Sequence, residues 1–184
     1  MRNSVFVIIA AFIVNSALIS SCVNQTKQIK MDGLGEKIII PSKLTIFNPF
    51  DNYTLDSGKI AKADLKLYVS IDFSCPTCVD RLNKWAELIP ILACKKNIPF
   101  IVIGNSHDRF ELLKYLVKKK MINRFPFPFF LDKDSVFFLQ NKVIFESAGM
   151  NAVLTDKNNI ILLYGDPINS PEVKSLFLKK INSL

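Results

Sequence analysis

"DFSCPTCVDRLNKW", Asp72 to Trp85, is the stretch that decides how this 184-residue chain folds. It stands where one periodicity gives way to another. Upstream, in "LKLYVSIDF", Leu65, Leu67, Val69, Ile71 and Phe73 alternate with Lys66, Tyr68, Ser70 and Asp72, the period of a β-strand. Downstream, from Pro76 to about Lys96, Val79, Leu82, Trp85, Ala86, Ile89, Leu92 and Ala93 recur at spacings of three and four, which lines up one face of a helix. Pro90 lies inside that pattern and is expected to kink the helix or end its first part, because it lacks a backbone donor. The junction carries Cys75 and Cys78, two of the chain's four cysteines. Three readings of the pair are open: a structural staple, half of a metal site, or a redox centre.

Helix geometry bears on the choice. Proline favours the first helical position, so Pro76 places Cys75 at the N-cap and Cys78 one turn inside. The free N–H groups and the positive end of the helix dipole then face the Cys75 sulfur. That field favours thiolate, the nucleophile of thiol–disulfide exchange. Cys75 would attack at the exposed tip, and Cys78 is near enough to resolve the mixed disulfide.

Working outward, "KIIIPSKLTIF" (Lys37–Phe47) holds two short β-rich runs broken at Pro41-Ser42, an N-terminal hairpin or edge strands. "IPFIVIGNS" (Ile98–Ser106) is a continuous apolar run of the kind a buried parallel strand shows. Asn105 or Ser106 can cap the next helix, "HDRFELLKYLVKKKM". "FPFPFFLDKDS" reads as a marginal or edge strand, and residues 135–145 as a short helix. In "NAVLTDKNNIILLYG" two β-rich runs flank the turn Asp156-Lys157-Asn158-Asn159. "SPEVKSLFLKKINSL" closes the chain as a helix, with Ser170 as N-cap and Pro171 at its first position. Strands joined through helices run parallel with right-handed crossovers. The expectation is an α/β domain with a mixed central sheet, helices on both faces and extra N-terminal β-strands.

The N-terminus speaks to compartment. "MRNSVFVIIAAFIVNSALISSC" has Arg2, an apolar run from Val5 to Ile19, and small residues before Cys22, the three-part layout of a secretory signal. Ile19-Ser20-Ser21-Cys22 resembles a bacterial lipobox, which implies lipidation of Cys22. The expected organisation is a lipoprotein signal peptide over 1–21, a flexible tether over 22–35 and a domain over 36–184. Acyl chains would anchor the domain to a membrane, with each buried CH₂ contributing about 0.8 kcal/mol. The expected location is the bacterial cell envelope, facing the periplasm, where disulfides persist. The formal charge is +8. No RNP or helix-turn-helix signature accompanies it, so Lys95-Lys96 and Lys118-Lys119-Lys120 read as solvated faces and nucleic acid is not an expected partner.

A strand, then Cys75-Pro76-Thr77-Cys78 at a helix N-terminus, then parallel strand, helix and closing hairpin, resembles the thioredoxin-like superfamily. The envelope-tethered thiol–disulfide oxidoreductases are its nearest branch, and the stretch from "FPFPFFLDKDS" through "GMNAVLTDKNNIILLYG" is similar to the redoxins. The resemblance spans about Leu65 to Leu184. It implies a thioredoxin-like fold and a redox-active Cys75–Cys78 disulfide needing no cofactor. It implies partners among envelope protein thiols and disulfides, with a protein electron donor or acceptor. Two positions depart from the family. Ser74 stands where Trp is frequent, and Met150 takes the place of the cis-proline that faces the cysteines on the substrate side.

Other residues enter as candidates. Asp72, three residues before Cys75, could take the Cys78 proton during exchange, or could be a polar strand end. His107, the only histidine, follows the strand expected beside that of Cys75. It is a candidate for proton transfer, or with Cys75, Cys78 and Met150 for a Cu(I) site. The plain alternative is a solvent-facing residue. A zinc set of Cys75, Cys78, Cys94 and His107 is disfavoured, because Cys94 would sit about 24 Å along the helix from Cys78 at about 1.5 Å per residue. No metal is therefore expected, and Cys94 reads as a small hydrophobe. The peroxiredoxin pattern is absent: Tyr68 and Asp72 stand where Cys75 would need Pro and Ser or Thr, and Ile71 and Cys75 where Cys78 would. The leading expectation is a membrane-anchored thiol–disulfide oxidoreductase. A non-catalytic thioredoxin-fold binding lipoprotein is the alternative and a copper chaperone the third.

Overall fold

The computed structural model describes residues 34–50, 57–93, 98–145 and 152–183. Residues 1–21, expected from the sequence to be a signal peptide, lie outside the described residues, as do Cys22, Cys94 and Met150. Among the described residues no helix is long and apolar enough to cross a membrane.

The elements in chain order are β1 (Thr45–Phe47), α1 (Ser57–Lys62), β2 (Leu65–Asp72), α2 (Pro76–Ala93), β3 (Phe100–Asn105), α3 (Glu111–Lys118), β4 (Phe129–Leu131), α4 (Val136–Gln140), α5 (Lys142–Phe145), β5 (Ala152–Asp156), β6 (Ile161–Gly165) and α6 (Pro171–Ser183). The strands form one six-stranded sheet in the order β1-β4-β3-β2-β5-β6. β2, β3 and β4 run parallel, while β5, β6 and β1 are antiparallel to their neighbours. The mixed sheet expected from the sequence is therefore present.

The two faces bury different side chains. Leu67, Val69, Ile71 and Phe73 point to the face covered by α2, α3 and α6, where they meet Leu82, Trp85, Leu113 and Phe177. α2 supplies that face through Val79, Leu82, Trp85, Ile89 and Leu92, and each such burial contributes about 1.5–3 kcal/mol. Trp85 packs edge-on against Phe100, with centroids 5.3 Å apart. Tyr68, Ile101, Ile103, Val153 and Ile161 form a second cluster on the other face, together with Phe137 of α4 and Ile144 of α5. Even Lys66, on the polar side of the strand's alternation, is only 5% exposed. Both faces of β2 are covered, so the alternation distinguishes two cores rather than core and solvent.

Two open alternatives are resolved and one expectation is corrected. The runs in "KIIIPSKLTIF" do not pair with each other as a hairpin, and the edge-strand alternative holds for β1, which forms one edge of the sheet. Lys37 bridges to Ile160 beside β6, whereas β1 pairs with β4 at the opposite edge of the sheet. Residues 39–44 thus cross the sheet face, with Ile38 and Leu44 packed on the second cluster. Of the two outcomes expected at Pro90, the ending does not occur: α2 continues to Ala93, with Pro90 on its exposed side. Finally, α3 begins at Glu111, not after Ser106. Ser106 Oγ instead accepts from the backbone N–H groups of Asp108 and Phe110, at 3.2 and 2.9 Å, which closes a turn. Arg109 and Phe110 then take left-handed conformations, at φ 55° and 66°. Burial of the Phe110 ring against Phe73 offsets that strain.

The hairpin and the last helix follow the sequence. β5 and β6 flank the turn, where Asn159 has φ 66°. Ser170 Oγ accepts from the Val173 N–H at 3.2 Å, and Pro171 opens α6.

Candidate functional site

β2 ends at Asp72, the chain turns through Phe73 and Ser74, and α2 starts at Pro76. The turn is fixed from three sides. Phe73 is fully buried, with its ring 6.1 Å from that of Phe110 and 5.7 Å from that of Phe129. It lies directly over Gly104, where a side chain would collide with the ring. The Phe73 N–H donates to the Asn105 carbonyl at 2.9 Å, extending the β2–β3 pairing by one step. Asp72 Oδ1 accepts from both the N–H and the hydroxyl of Ser74, at 2.9 and 2.6 Å. The cysteine motif therefore rests on a rigid base.

Cys75 is the N-cap residue. Its carbonyl accepts the first helical hydrogen bond, from the Val79 N–H at 3.0 Å. Its sulfur occupies the place that a capping oxygen usually fills, and the Cys78 N–H donates to it at 3.3 Å. The Thr77 hydroxyl lies 3.2 Å from the same sulfur. The first turn of α2 contains no acidic residue to offset the helix dipole. All of these features favour negative charge on Cys75 Sγ once the sulfur is reduced.

Cys75 and Cys78 are joined as a disulfide, with Cα atoms 5.2 Å apart. Both are partly exposed, and Cys78 packs against the larger core cluster. The pair is thus asymmetric. One sulfur sits at the helix tip under two donors, and the other leans on the core.

Asp72 and His107 stand on the same rim but in different roles. Asp72 is partly buried, and its Oδ1 holds Ser74. His107 is exposed, and its backbone N–H donates to Ser74 Oγ at 3.2 Å. Ser74 therefore links the motif's turn to the loop that follows β3. Asp72 and Asn105 pair across β2 and β3, so the two loops emerge at one edge of the sheet, as the sequence predicts for parallel neighbours. Nearby, the Ser106 hydroxyl and the N–H groups of Leu112, Phe110 and Glu111 hold the Asp108 carboxyl below its ordinary value. Sequence reasoning noted Ser74 only as a departure from Trp and missed the bonding roles of the Ser74 and Thr77 hydroxyls, which stand beside and within the motif. Met150, Cys22 and Cys94 were also singled out by sequence and lie outside the described residues.

No protein-family model and no curated protein matches the chain. Solved structures resemble it at low identity. A "putative protein disulfide isomerase" from Bacteroides thetaiotaomicron aligns with a TM-score of 0.51 at 20% identity, covering 82% of this chain and 88% of that one. A "putative electron transport protein" from Aquifex aeolicus VF5 also gives 0.51 at 20% identity, over 82% and 99% of the two chains. BsSco, a member of the Sco family of cytochrome c oxidase assembly proteins, gives 0.50 at 15% identity, over 83% and 97%. These likenesses bear on architecture. The chain has the thioredoxin-like fold that its motif resembles.

Proposed function

We propose that this thioredoxin-fold chain is a membrane-anchored thiol–disulfide oxidoreductase, exchanging electrons with proteins of the bacterial envelope through Cys75 and Cys78. The observation that carries the reading is the Cys75–Cys78 disulfide at the N-terminus of α2, with two donors directed at Cys75 Sγ. A two-residue spacer closes a loop too short to stabilise the fold much through chain entropy, which weakens the staple reading. The anchor is inferred from the lipobox-like Ile19-Ser20-Ser21-Cys22.

The chemistry is an exchange of bonds between sulfurs. In the oxidising direction a substrate thiolate attacks Cys75 Sγ and the Cys75–Cys78 bond breaks. Cys78 leaves as thiolate and takes a proton from solvent or a neighbouring acid. A second substrate thiolate attacks the substrate sulfur of the mixed disulfide, and Cys75 leaves as the thiolate that the helix end favours. The substrate loses two electrons and two protons, and the protein becomes a dithiol. In the reducing direction every step runs backwards.

Insulin reduction in the presence of a thiol donor tests this. Cys75→Ser is expected to abolish turnover, while Cys94→Ser retains it. Equal activity in wild type and Cys75→Ser would remove the enzymatic reading and favour a binding lipoprotein.

A further inference from the structure

Behind the sheet, at the end of β2 remote from the cysteines, lies a cavity of about 510 Å³. That volume is within the usual range for small-molecule sites. The N-terminal crossing segment covers it through Lys37, Ile40 and Leu44. Ile60 of α1, Ile101 and Ile103 of β3, and Phe130 of β4 supply apolar walls. The charged lining residues are Lys37, Lys66 and Lys157, with no acid among them.

Lys66 is the unusual member. Its residue is 5% exposed, yet its ammonium is held only by neutral acceptors, the Lys157 carbonyl at 2.8 Å and Asn159 Oδ1 at 3.0 Å. Among the described residues no carboxylate lies within 4.0 Å of it. The Asp156 carboxylate acts on it from farther away and is itself engaged by the N–H groups of Asn158 and Ile160, both at 2.8 Å. An ammonium has three donors, so one N–H of Lys66 is left without a protein acceptor. The Tyr68 hydroxyl donates to Asn159 Oδ1 at 2.8 Å and fixes that amide in place. Holding a partly desolvated cation with its counter-charge, Asp156, out of contact is costly. A ligand that brings one negative charge on an apolar body would remove the cost and fill the walls together.

We propose that this cavity is a binding site for an apolar monocarboxylate, a medium-chain fatty acid or an acid of similar shape, whose carboxylate pairs with Lys66 and whose tail lies against Ile101, Ile103 and Phe130. The site is independent of the redox centre and stands whether or not the cysteines turn over. A monoanion with an apolar tail fits better than a bare phosphate, because Ile60, Ile101, Ile103 and Phe130 supply apolar walls that only a tail fills.

Titration calorimetry of the full chain with decanoate, kept below its micelle concentration, tests the proposal. Saturable binding of one decanoate per chain is expected. Decanol, which has the same tail without the charge, should bind at least about tenfold more weakly, since a hydrogen bond to a charged group is worth about 1.5–3 kcal/mol. Lys66→Met keeps most of the stem and should weaken decanoate by a similar factor while leaving decanol unchanged. Equal affinity for decanoate and decanol in the wild type would overturn the proposal without recourse to a variant. So would undiminished decanoate binding in Lys66→Met, or absence of saturable binding.

Discussion

The backbone N–H of Cys78 donates to the sulfur of Cys75 at 3.3 Å, so the residue proposed to resolve the mixed disulfide also bonds the sulfur proposed to attack. The bond comes from the backbone, and every substitution at Cys78 other than proline leaves it available. In the Cys78→Ser variant Cys75 should therefore remain acidic and alkylate faster than a free cysteine at neutral pH. Iodoacetamide rates measured against pH report this. A Cys75 that titrates near about 8.5, as an unperturbed thiol does, would contradict it.

Thr77 adds a side-chain donor 3.2 Å from the same sulfur. Thr77→Val keeps the shape and loses the hydroxyl. The Cys75 pKa should rise by about one unit or more, because hydrogen bonds to charged groups are worth about 1.5–3 kcal/mol. The reduced form loses that stabilisation, so the couple should become more reducing by about 30 mV or more. Ultraviolet absorbance of the thiolate against pH measures the first quantity, and equilibration with glutathione the second.

Asp72 reads from its contacts as an anchor for the turn. Its Oδ1 already accepts twice from Ser74. Asp72→Asn keeps an oxygen there and should leave stability and exchange rate close to wild type. Asp72→Ala should lose about 1–2 kcal/mol, as the two Ser74 donors are left without their acceptor. A large fall in exchange rate for Asp72→Asn at unchanged stability would instead assign proton transfer to this carboxylate.

Gly104 lies beneath the Phe73 ring, and an added Cβ would also press on the Ile71 carbonyl. Gly104→Ala should destabilise the domain by about 1–3 kcal/mol, the usual cost of overfilling a packed interior. Urea unfolding measures it. The same change should slow exchange at Cys75, because Phe73 supports the turn two residues before it.

Lys66 gives a signed pH effect. Desolvation lowers its pKa below the ordinary 10.5, against an opposing contribution from Asp156. Above the folded-state value the unfolded chain binds more protons than the folded one, so stability rises with pH. The rise occupies the window between that lowered value and 10.5. Lys66→Met should abolish this rise in denaturant midpoint. A rise that persists in the variant would assign it to another group.

Much of this was legible in the sequence because it is local. The β2-to-α2 junction, the turn before β6 and the Ser170-Pro171 start of α6 are each written in a few adjacent residues. What was not legible depends on partners far along the chain. Residues 39–44 lack any periodicity that says which sheet edge comes next, and only the pairings of Lys37 with Ile160 and of Thr45 with Leu131 show the crossing. The burial of Lys66 is invisible in the alternation of β2, since the chain that covers its face comes from residues 37–44 and 157–159. For α3 the sequence offers Asn105 or Ser106 as the cap, but the Ser106 hydroxyl serves a preceding turn and the helix starts five residues later, after Phe110.

The most direct test of the account is a redox titration of the Cys75–Cys78 couple across glutathione buffers, read by thiol alkylation and mass. The account predicts one reversible two-electron transition in which both thiols appear and disappear together, at a potential that shifts when Thr77 is replaced by valine. Two cysteines that alkylate independently, or a disulfide that stays closed at every buffer ratio and is not reformed after forced reduction, would contradict it.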